Sequence, residues 1–324
     1  MSNKLTVVMY HYVRDIKNSR YPNIKGLELS QFVEQLKYLN KHYNIIGMED
    51  VLASKYHQEV LPDKAVLLTF DDAYAEHFNF VYPILKKMKM KGAFYVPAKT
   101  VQEHKVLDVN KIHFILSNEN NTLKIINHIR VEIDKYREEF ALSSFDFYYK
   151  KYAVENRFDN KNTIFIKRVL QHALPERLRN IISDNLFEQH VGVSEEAFSR
   201  ELYMNKYQLE QLVNDGMHIG SHGYDHYWWN KLDNEQLSSE IDRSIQFLSS
   251  LGVDTENWTA CYPYGSYSEQ VVMKLRDKGC KLAFTTEVDI ANLNCIEPLL
   301  IPRLDTNDLP KSSSSKPNEW HQKV

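Results

Sequence analysis

Cysteine is scarce in this chain. Cys261, Cys280 and Cys295 are the only three among 324 residues, odd in number and without CxxC spacing. They argue against a disulfide framework and are weak metal candidates. Long apolar runs are missing as well: none approaches the roughly 18–20 residues of a membrane span. The opening run Leu5-Thr6-Val7-Val8-Met9-Tyr10 is too short for a signal-peptide core, and no small-residue cleavage site lies behind it. The expected location is therefore cytoplasmic, with a soluble substrate or the cytoplasmic end of a lipid-linked one. No sign of charge dominates either. A net charge of −3 gives no support for a nucleic-acid partner or a strongly anionic membrane surface. Glycine is thin, ten residues in all, with none between Gly92 and Gly192.

What is present describes an ordinary globular protein, 43% hydrophobic and 26% charged. The length suits one large α/β domain or two smaller ones. Twenty tyrosines and fifteen phenylalanines are plentiful, and core packing is their plainest use. Hydrophobic patterning alternates strands with helices. Strands are expected at Leu5–Tyr10, Ile45-Ile46, Ala65–Phe70, Ala93–Val96, Met217–Gly220, Thr259–Tyr262, Ala283–Thr285 and Leu299–Pro302. Helices are expected at Ser30–Lys41 with Ser30 as N-cap, Met48–Ser54, Ala75–Met90 interrupted or bent near Pro83, Lys206–Asp215, Asn234–Ser250 and Ser268–Lys278. Such alternation predicts a parallel sheet, open or closed into a barrel.

The glycine-free stretch breaks this rhythm. Helical patterns at Asn110–Ser117, Thr122–Tyr136, Thr163–Leu174 and Pro175–His190 follow one another, with a charged, tyrosine-rich segment between the second and third. They predict an all-helical insertion over 103–200 in a βα loop, between barrel parts at 1–102 and 201–310. The tail 311–324, with Lys311-Ser312-Ser313-Ser314-Ser315-Lys316, is expected to be mobile.

One pair of residues points to chemistry. Asp71 and Asp72 close the strand-like run Val66-Leu67-Leu68-Thr69-Phe70. Adjacent carboxylates at the end of a buried strand repel unless a cation neutralises one of them. Partners stand about 150 residues on, in Ser221-His222-Gly223-Tyr224-Asp225-His226. Two imidazoles and one carboxylate make an open three-ligand divalent site, and the second carboxylate is left to take a proton from water. Each part is weak alone, since acidic helix caps and satisfied polar histidines are common. Together they gain weight, because each follows a predicted strand at the edge where parallel α/β folds build their sites.

A third segment, Ala260-Cys261-Tyr262-Pro263-Tyr264-Gly265, follows another strand. With Thr69-Phe70-Asp71-Asp72 and Ser221-His222…His226, it resembles the polysaccharide deacetylase family of NodB-homology carbohydrate esterases. Met9-Tyr10-His11-Tyr12-Val13 resembles the start of the subgroup acting on exopolysaccharide amino sugars. The likeness covers roughly residues 1–100 and 203–305, outside the helical insertion.

The resemblance implies a distorted (β/α) barrel with Asp72, His222 and His226 holding the metal. It implies Asp71 as the general base for the water that attacks an N-acyl carbonyl, with a backbone N–H near Tyr264 helping to hold the oxyanion. Zinc is favoured for the ligand set, while iron, cobalt, nickel or manganese would fit it. The expected substrate is an N-acylated amino sugar, with Tyr262, Tyr264 and Trp228 as sugar contacts.

Departures are visible. Ala73 stands where a glycine is usual, Gly223 where serine or threonine is usual, and Cys261 where an arginine orients the catalytic aspartate. Leu300-Ile301-Pro302-Arg303-Leu304-Asp305 lacks the histidine that donates the leaving-group proton in many members. Arg303 could orient Asp71 but is a poor acid. His11 is the favoured acid, with His218 behind it. Asp225 could orient a ligand histidine or face solvent. Rival readings are a deformylase, a deacylase of a lipid- or nucleotide-linked sugar, or a non-catalytic carbohydrate-binding relative. Oligomeric state stays open.

Overall fold

Residues Ala65–Asp71 are buried without exception. Apolar side chains on both faces give a central strand covered on both sides. A computed structural model describes residues 3–155 and 159–324. Its contacts divide the chain into one unit of residues 1–15, 26–104 and 200–324, and a second of residues 16–25 and 105–199.

The first unit carries the strands. They are β1 (Lys4–Tyr10), β2 (Val13–Arg14), β3 (Leu27–Glu28), β4 (Asn44–Ile46), β5 (Ala65–Asp71), β6 (Ala93–Val96), β7 (His218–Ser221), β8 (Thr259–Cys261), β9 (Leu282–Phe284), β10 (Ala291–Asn292) and β11 (Leu304–Asp305). The main sheet runs β10-β1-β5-β6-β7-β8-β9, with β4 on β5 and β11 on β1. Neighbours are parallel except β10, which is antiparallel to β1. The sheet curls into a half-barrel. Ile301 bridges Phe284 and Leu304 pairs with Val8, so residues 301–305 run from the β9 edge to the β1 edge.

Strand alternation divides the interior in two. Leu5, Val7, Ala65, Leu67, Ala93, Tyr95, Cys261 and Phe284 share one core. Val8, Tyr10, Val66, Leu68, Phe70, Phe94 and Val96 face the helices Leu29–His42, Lys206–Asn214 and Asn234–Ser250 in the other. Odd-numbered residues of β5 belong to the inner set, which puts Thr69 and Asp71 on the inside at the strand's C-terminal end.

Several elements differ from expectation. Glu28, without a side-chain cap, precedes the first helix, and Ser30 lies inside its first turn. The helix expected to be interrupted or bent near Pro83 is a π-helical turn, His77–Val81, leading into Tyr82–Met88, where Pro83 sits in the first turn and needs no N–H partner. The last strand is Leu304–Asp305 rather than Leu299–Pro302. Pro302 has no N–H to donate to a ladder, and only Ile301 of that run is bridged. The tail expected to be mobile carries contacts: Ser313 Oγ donates to Glu34, Asn318 caps the helix Glu319–Lys323, and Trp320 packs on the core.

The second unit is helical: Asp108–Asn118, Thr122–Lys135, Phe145–Tyr152, Lys161–Arg168 continued by a π-turn at Val169–Ala173, and Glu176–Val191. The tyrosine-rich segment supplies Phe145–Tyr152, capped by Ser144. Buried Lys111 pairs with Asp184 and Glu195 across this unit. Among the described residues, no helix is long and apolar enough to cross a membrane.

Phe70 is stacked between Tyr10 and Phe94 at centroid distances of 5.0 and 4.8 Å. Phe70→Ala should cost about 3–5 kcal/mol through lost burial and a residual cavity. Urea unfolding should read this as a lower midpoint with an unchanged slope.

Candidate active site

β5 ends on the two carboxylates, and the backbone turns their side chains apart. Asp71 is still extended, whereas Asp72 and Ala73 adopt left-handed φ of 74° and 55°. Ala73 occupies the position where the sequence comparison expected glycine, and its carbonyl is held by Met204 N at 2.8 Å.

Asp71 points inward, 1% exposed. Arg303, equally buried, grips it with a fork: Nη1 donates to Oδ1 at 2.9 Å and Nη2 lies 2.8 Å from Oδ2. The guanidinium is itself fixed by Thr285 O at 2.9 Å and Thr69 Oγ1 at 3.2 Å. Burial is the largest single influence and would raise the Asp71 carboxyl, but the charge and hydrogen bond of Arg303, together with His222 and His11, outweigh it and hold the group well below the usual carboxylate range. Cys261 lies against Asp71 with its thiol pushed up by burial. The orienting cation therefore comes from Arg303 and not from β8.

Asp72 turns to the histidines. Its Oδ2 accepts from Tyr74 Oη at 2.6 Å, while Oδ1 is buried without a hydrogen-bond partner. That oxygen lies 3.5 Å from His222 Nε2 and 3.6 Å from His226 Nε2, and the two nitrogens are 3.2 Å apart. Metal–ligand bonds of about 2.0–2.1 Å place neighbouring ligand atoms of a tetrahedron about 3.3–3.4 Å apart. The three separations fit that spacing, and Asp72, His222 and His226 form a group that could hold a metal ion. His222 Nδ1 faces Cys261 O at 2.9 Å, which leaves Nε2 as a lone pair. Burial, then His222, push His226 down to about 3, so it too offers a lone pair. Two lone pairs facing an orphaned carboxylate oxygen suit a cation between them.

The ligand loop is strapped on both sides. His222 N donates to Val96 O, and the carbonyls of Gly223 and Tyr224 accept from Ala98 N and Lys99 N. Glu240 accepts from Tyr224 N and Asp225 N. Asp225 pairs with Lys99, so it neither orients a histidine nor stands free in solvent.

His11 follows β1 with its side chain 41% exposed and Nε2 3.9 Å from Asp71 Oδ2. Its carbonyl accepts from buried His77 Nε2 at 2.7 Å. His218 lies away from this cluster, bound to Thr259 Oγ1 at 2.7 Å. Trp228 and Tyr264 stack at 4.7 Å and 11°, and Tyr264 packs on His226 at 4.6 Å, forming an aromatic wall beside the ligands. Tyr262 does not join it. It is 1% exposed, with its hydroxyl turned to Leu299 O and its ring packed on Trp229 and Tyr267, so it cannot reach a sugar.

Tyr74, His77 and Glu240 were not singled out from the sequence. Tyr74 had a signal, since a hydroxyl two residues beyond a ligand carboxylate can fold back onto it. The other two depend on contacts across the fold.

The family described as polysaccharide deacetylase matches residues 58–130 and 157–283, which reaches into the helical segment set outside the resemblance by sequence. The curated protein YxkH of Bacillus subtilis (strain 168) is 27% identical over 99 residues, 30% of this chain and 33% of that protein. The chain thus matches about a third of that relative's length. Among solved structures, Streptococcus pyogenes deacetylase PplD in complex with acetate superposes with TM-score 0.60 at 17% identity, covering 97% of this chain and 96% of that one. IcaB from Ammonifex degensii gives 0.56 at 19%, covering 99% and 98%. The de-N-acetylase from Aggregatibacter actinomycetemcomitans gives 0.53 at 15%, covering 97% of both. At these identities the likeness is one of fold.

Burial pushes His77 down to about 4. Its folded value lies below the unfolded value of about 6.5, so its contribution is complete above that pH and fades toward pH 4. Unfolding monitored from pH 7 to 4 should show wild-type stability falling by up to about 1.4 kcal/mol per pH unit more steeply than His77→Gln.

Proposed function

The chain belongs to the polysaccharide deacetylase family, and we propose that it hydrolyses an N-acyl group, first of all N-acetyl, from an amino sugar of a glycan or glycan precursor. The observation that carries this reading is the convergence of Asp72, His222 and His226 beside a second carboxylate fixed by Arg303. A relative of the same fold captured with acetate, the product expected here, supports it.

Asp72, His222 and His226 would hold a divalent ion, with zinc favoured by the two-imidazole, one-carboxylate set. Such an ion, when bound, makes water a stronger nucleophile and polarises the acyl carbonyl. The remaining steps belong to this chain's own side chains. Arg303 uses one acceptor position on each Asp71 oxygen and leaves others open. Asp71, kept ionised, takes the proton from the attacking water as the C–O bond forms. A backbone N–H near Tyr264 helps hold the developing oxyanion. His11 gives its proton to the amine nitrogen as the C–N bond breaks. Trp228 and Tyr264 contact the sugar ring.

Acid release from a panel of N-acetyl and N-formyl amino sugars, free, polymeric and lipid- or nucleotide-linked, tests this with and without chelator. Chelator should abolish turnover, and zinc should restore it. Asp71→Asn should keep wild-type metal content and lose about 10²–10⁴-fold in kcat. His222→Ala should lose the metal too. An Asp72→Ala/His222→Ala double variant that is metal-free yet releases acetate at the wild-type rate would falsify the proposal.

A further inference from the structure

The two ligand histidines are held in different ways. His222 has a side-chain anchor, its Nδ1 on Cys261 O at 2.9 Å. His226 Nδ1 is buried with no hydrogen-bond partner. Its residue also has a left-handed φ of 60°, which few side chains adopt without support. The imidazole meets the ring of Tyr264 and, at Nε2, Asp72 and His222, but among the described residues no hydrogen-bond partner at Nδ1 fixes its direction. The orientation of His226 must therefore come from the backbone that precedes it.

Gly223 N in that backbone donates to Ser221 Oγ at 3.1 Å, and the two amides nearest His226 both end on one other side chain. Glu240, 5% exposed on the helix Asn234–Ser250, accepts Tyr224 N at Oε2 and Asp225 N at Oε1, both at 3.0 Å. Opposite, Ala98 N and Lys99 N hold the carbonyls of residues 223 and 224 at 3.2 and 3.0 Å. Gly223, with φ 79°, lets the turn close: a Cβ there would lie 3.1 Å from Glu240 Oε2. Without the carboxylate, two buried N–H groups just before His226 lose their acceptors, and the loop gains by rotating them toward water.

We propose that Glu240 is a positioning residue of the metal centre, setting the direction of His226 through the amides of Tyr224 and Asp225. The proposal rests on the ligand assignment above and goes beyond it by giving a role to a residue that touches no ligand atom. Glu240→Met keeps the side chain's length and removes both acceptors. Glu240→Gln keeps one acceptor oxygen for the amides and presents an NH2 group toward Asp225. Leu237→Ala, one turn earlier on the same helix and 1% exposed, loosens the packing without touching the loop.

Cobalt(II) titration followed by visible absorption, with zinc competition, reads the site without turnover. Glu240→Met should bind about 10–100-fold more weakly and with an altered cobalt spectrum. Glu240→Gln should recover most of the affinity, and Leu237→Ala should match wild type even where its melting temperature falls. Should Glu240→Met not fold, Gly223→Ala, which presses on Oε2, should show the same weakened binding. Wild-type affinity and spectrum in whichever of these two variants folds overturns the positioning role, provided Asp72→Ala has lost the metal. If Asp72→Ala itself still binds cobalt as wild type does, the ligand assignment has failed and the positioning role falls with it.

Discussion

Two carboxylates on consecutive residues inside a protein repel each other and lose their hydration together, and the arrangement around β5 answers both costs. Asp71 stays in the strand and Asp72 turns through a left-handed φ, so each reaches its own counter-charge. Asp71 has the buried guanidinium of Arg303. Asp72 has Tyr74 on one oxygen and the two imidazoles at the other, a set that a cation would complete. Removing either partner would leave a buried charge uncompensated, which typically costs about 3–5 kcal/mol. In the proposed reading, charge separation at this one strand end would divide the labour, with Asp72 as ligand and Asp71 left to handle a proton.

The backbone bears the strain of that division. Asp72, Ala73, His226 and Tyr264 are all non-glycine residues with φ between 55° and 74°. Each such residue costs on the order of 1 kcal/mol or more and persists only when its neighbours over-determine it. The neighbours are on hand. Met204 N holds the Ala73 carbonyl, Tyr74 bridges to Tyr203, and Trp228 covers Tyr264. His77 belongs to the same support, holding the carbonyl of His11 from the turn that follows Tyr74. One stretch, residues 72–77, thus fixes a candidate ligand, the hydroxyl bonded to it and the strand end that presents the candidate acid.

Much of this was legible in sequence because the signals were local. The buried β5 run, the acidic pair at its end and the HxxxH spacing each depend on a few adjacent residues, and a parallel sheet, open or closed, follows from the alternation of elements. The glycine-free stretch read as helical for the same reason. What escaped was set by contacts between distant segments. Tyr262 sits in a motif beside the site, yet its hydroxyl finds Leu299 thirty-seven residues away and turns the ring inward. Asp225 stands between the ligand histidines' positions in sequence, but Lys99 claims it. The last strand was misjudged because residues 299–302 are apolar, whereas pairing to β1 begins only after Pro302.

The exchange of Cys261 for an orienting arginine has a structural consequence. With the guanidinium on Arg303, the residue that orients Asp71 lies in the same five-residue stretch that carries the chain from β9 to β1. Its Nε is tied to Thr285 just beyond β9, and its Nη1 to Thr69 and Asp71 at the end of β5. The side chain therefore crosses the interior where the curled sheet nearly meets itself, so each contact that orients Asp71 also holds the edges of the sheet together. A thiol at position 261 suits this route, since it is small enough to let the guanidinium reach Asp71 from the far edge and, being neutral, adds no second charge there. Loosening residues 301–305 would then disturb Asp71 before the two histidines, because His222 and His226 take their support from β6, β8 and Glu240 instead.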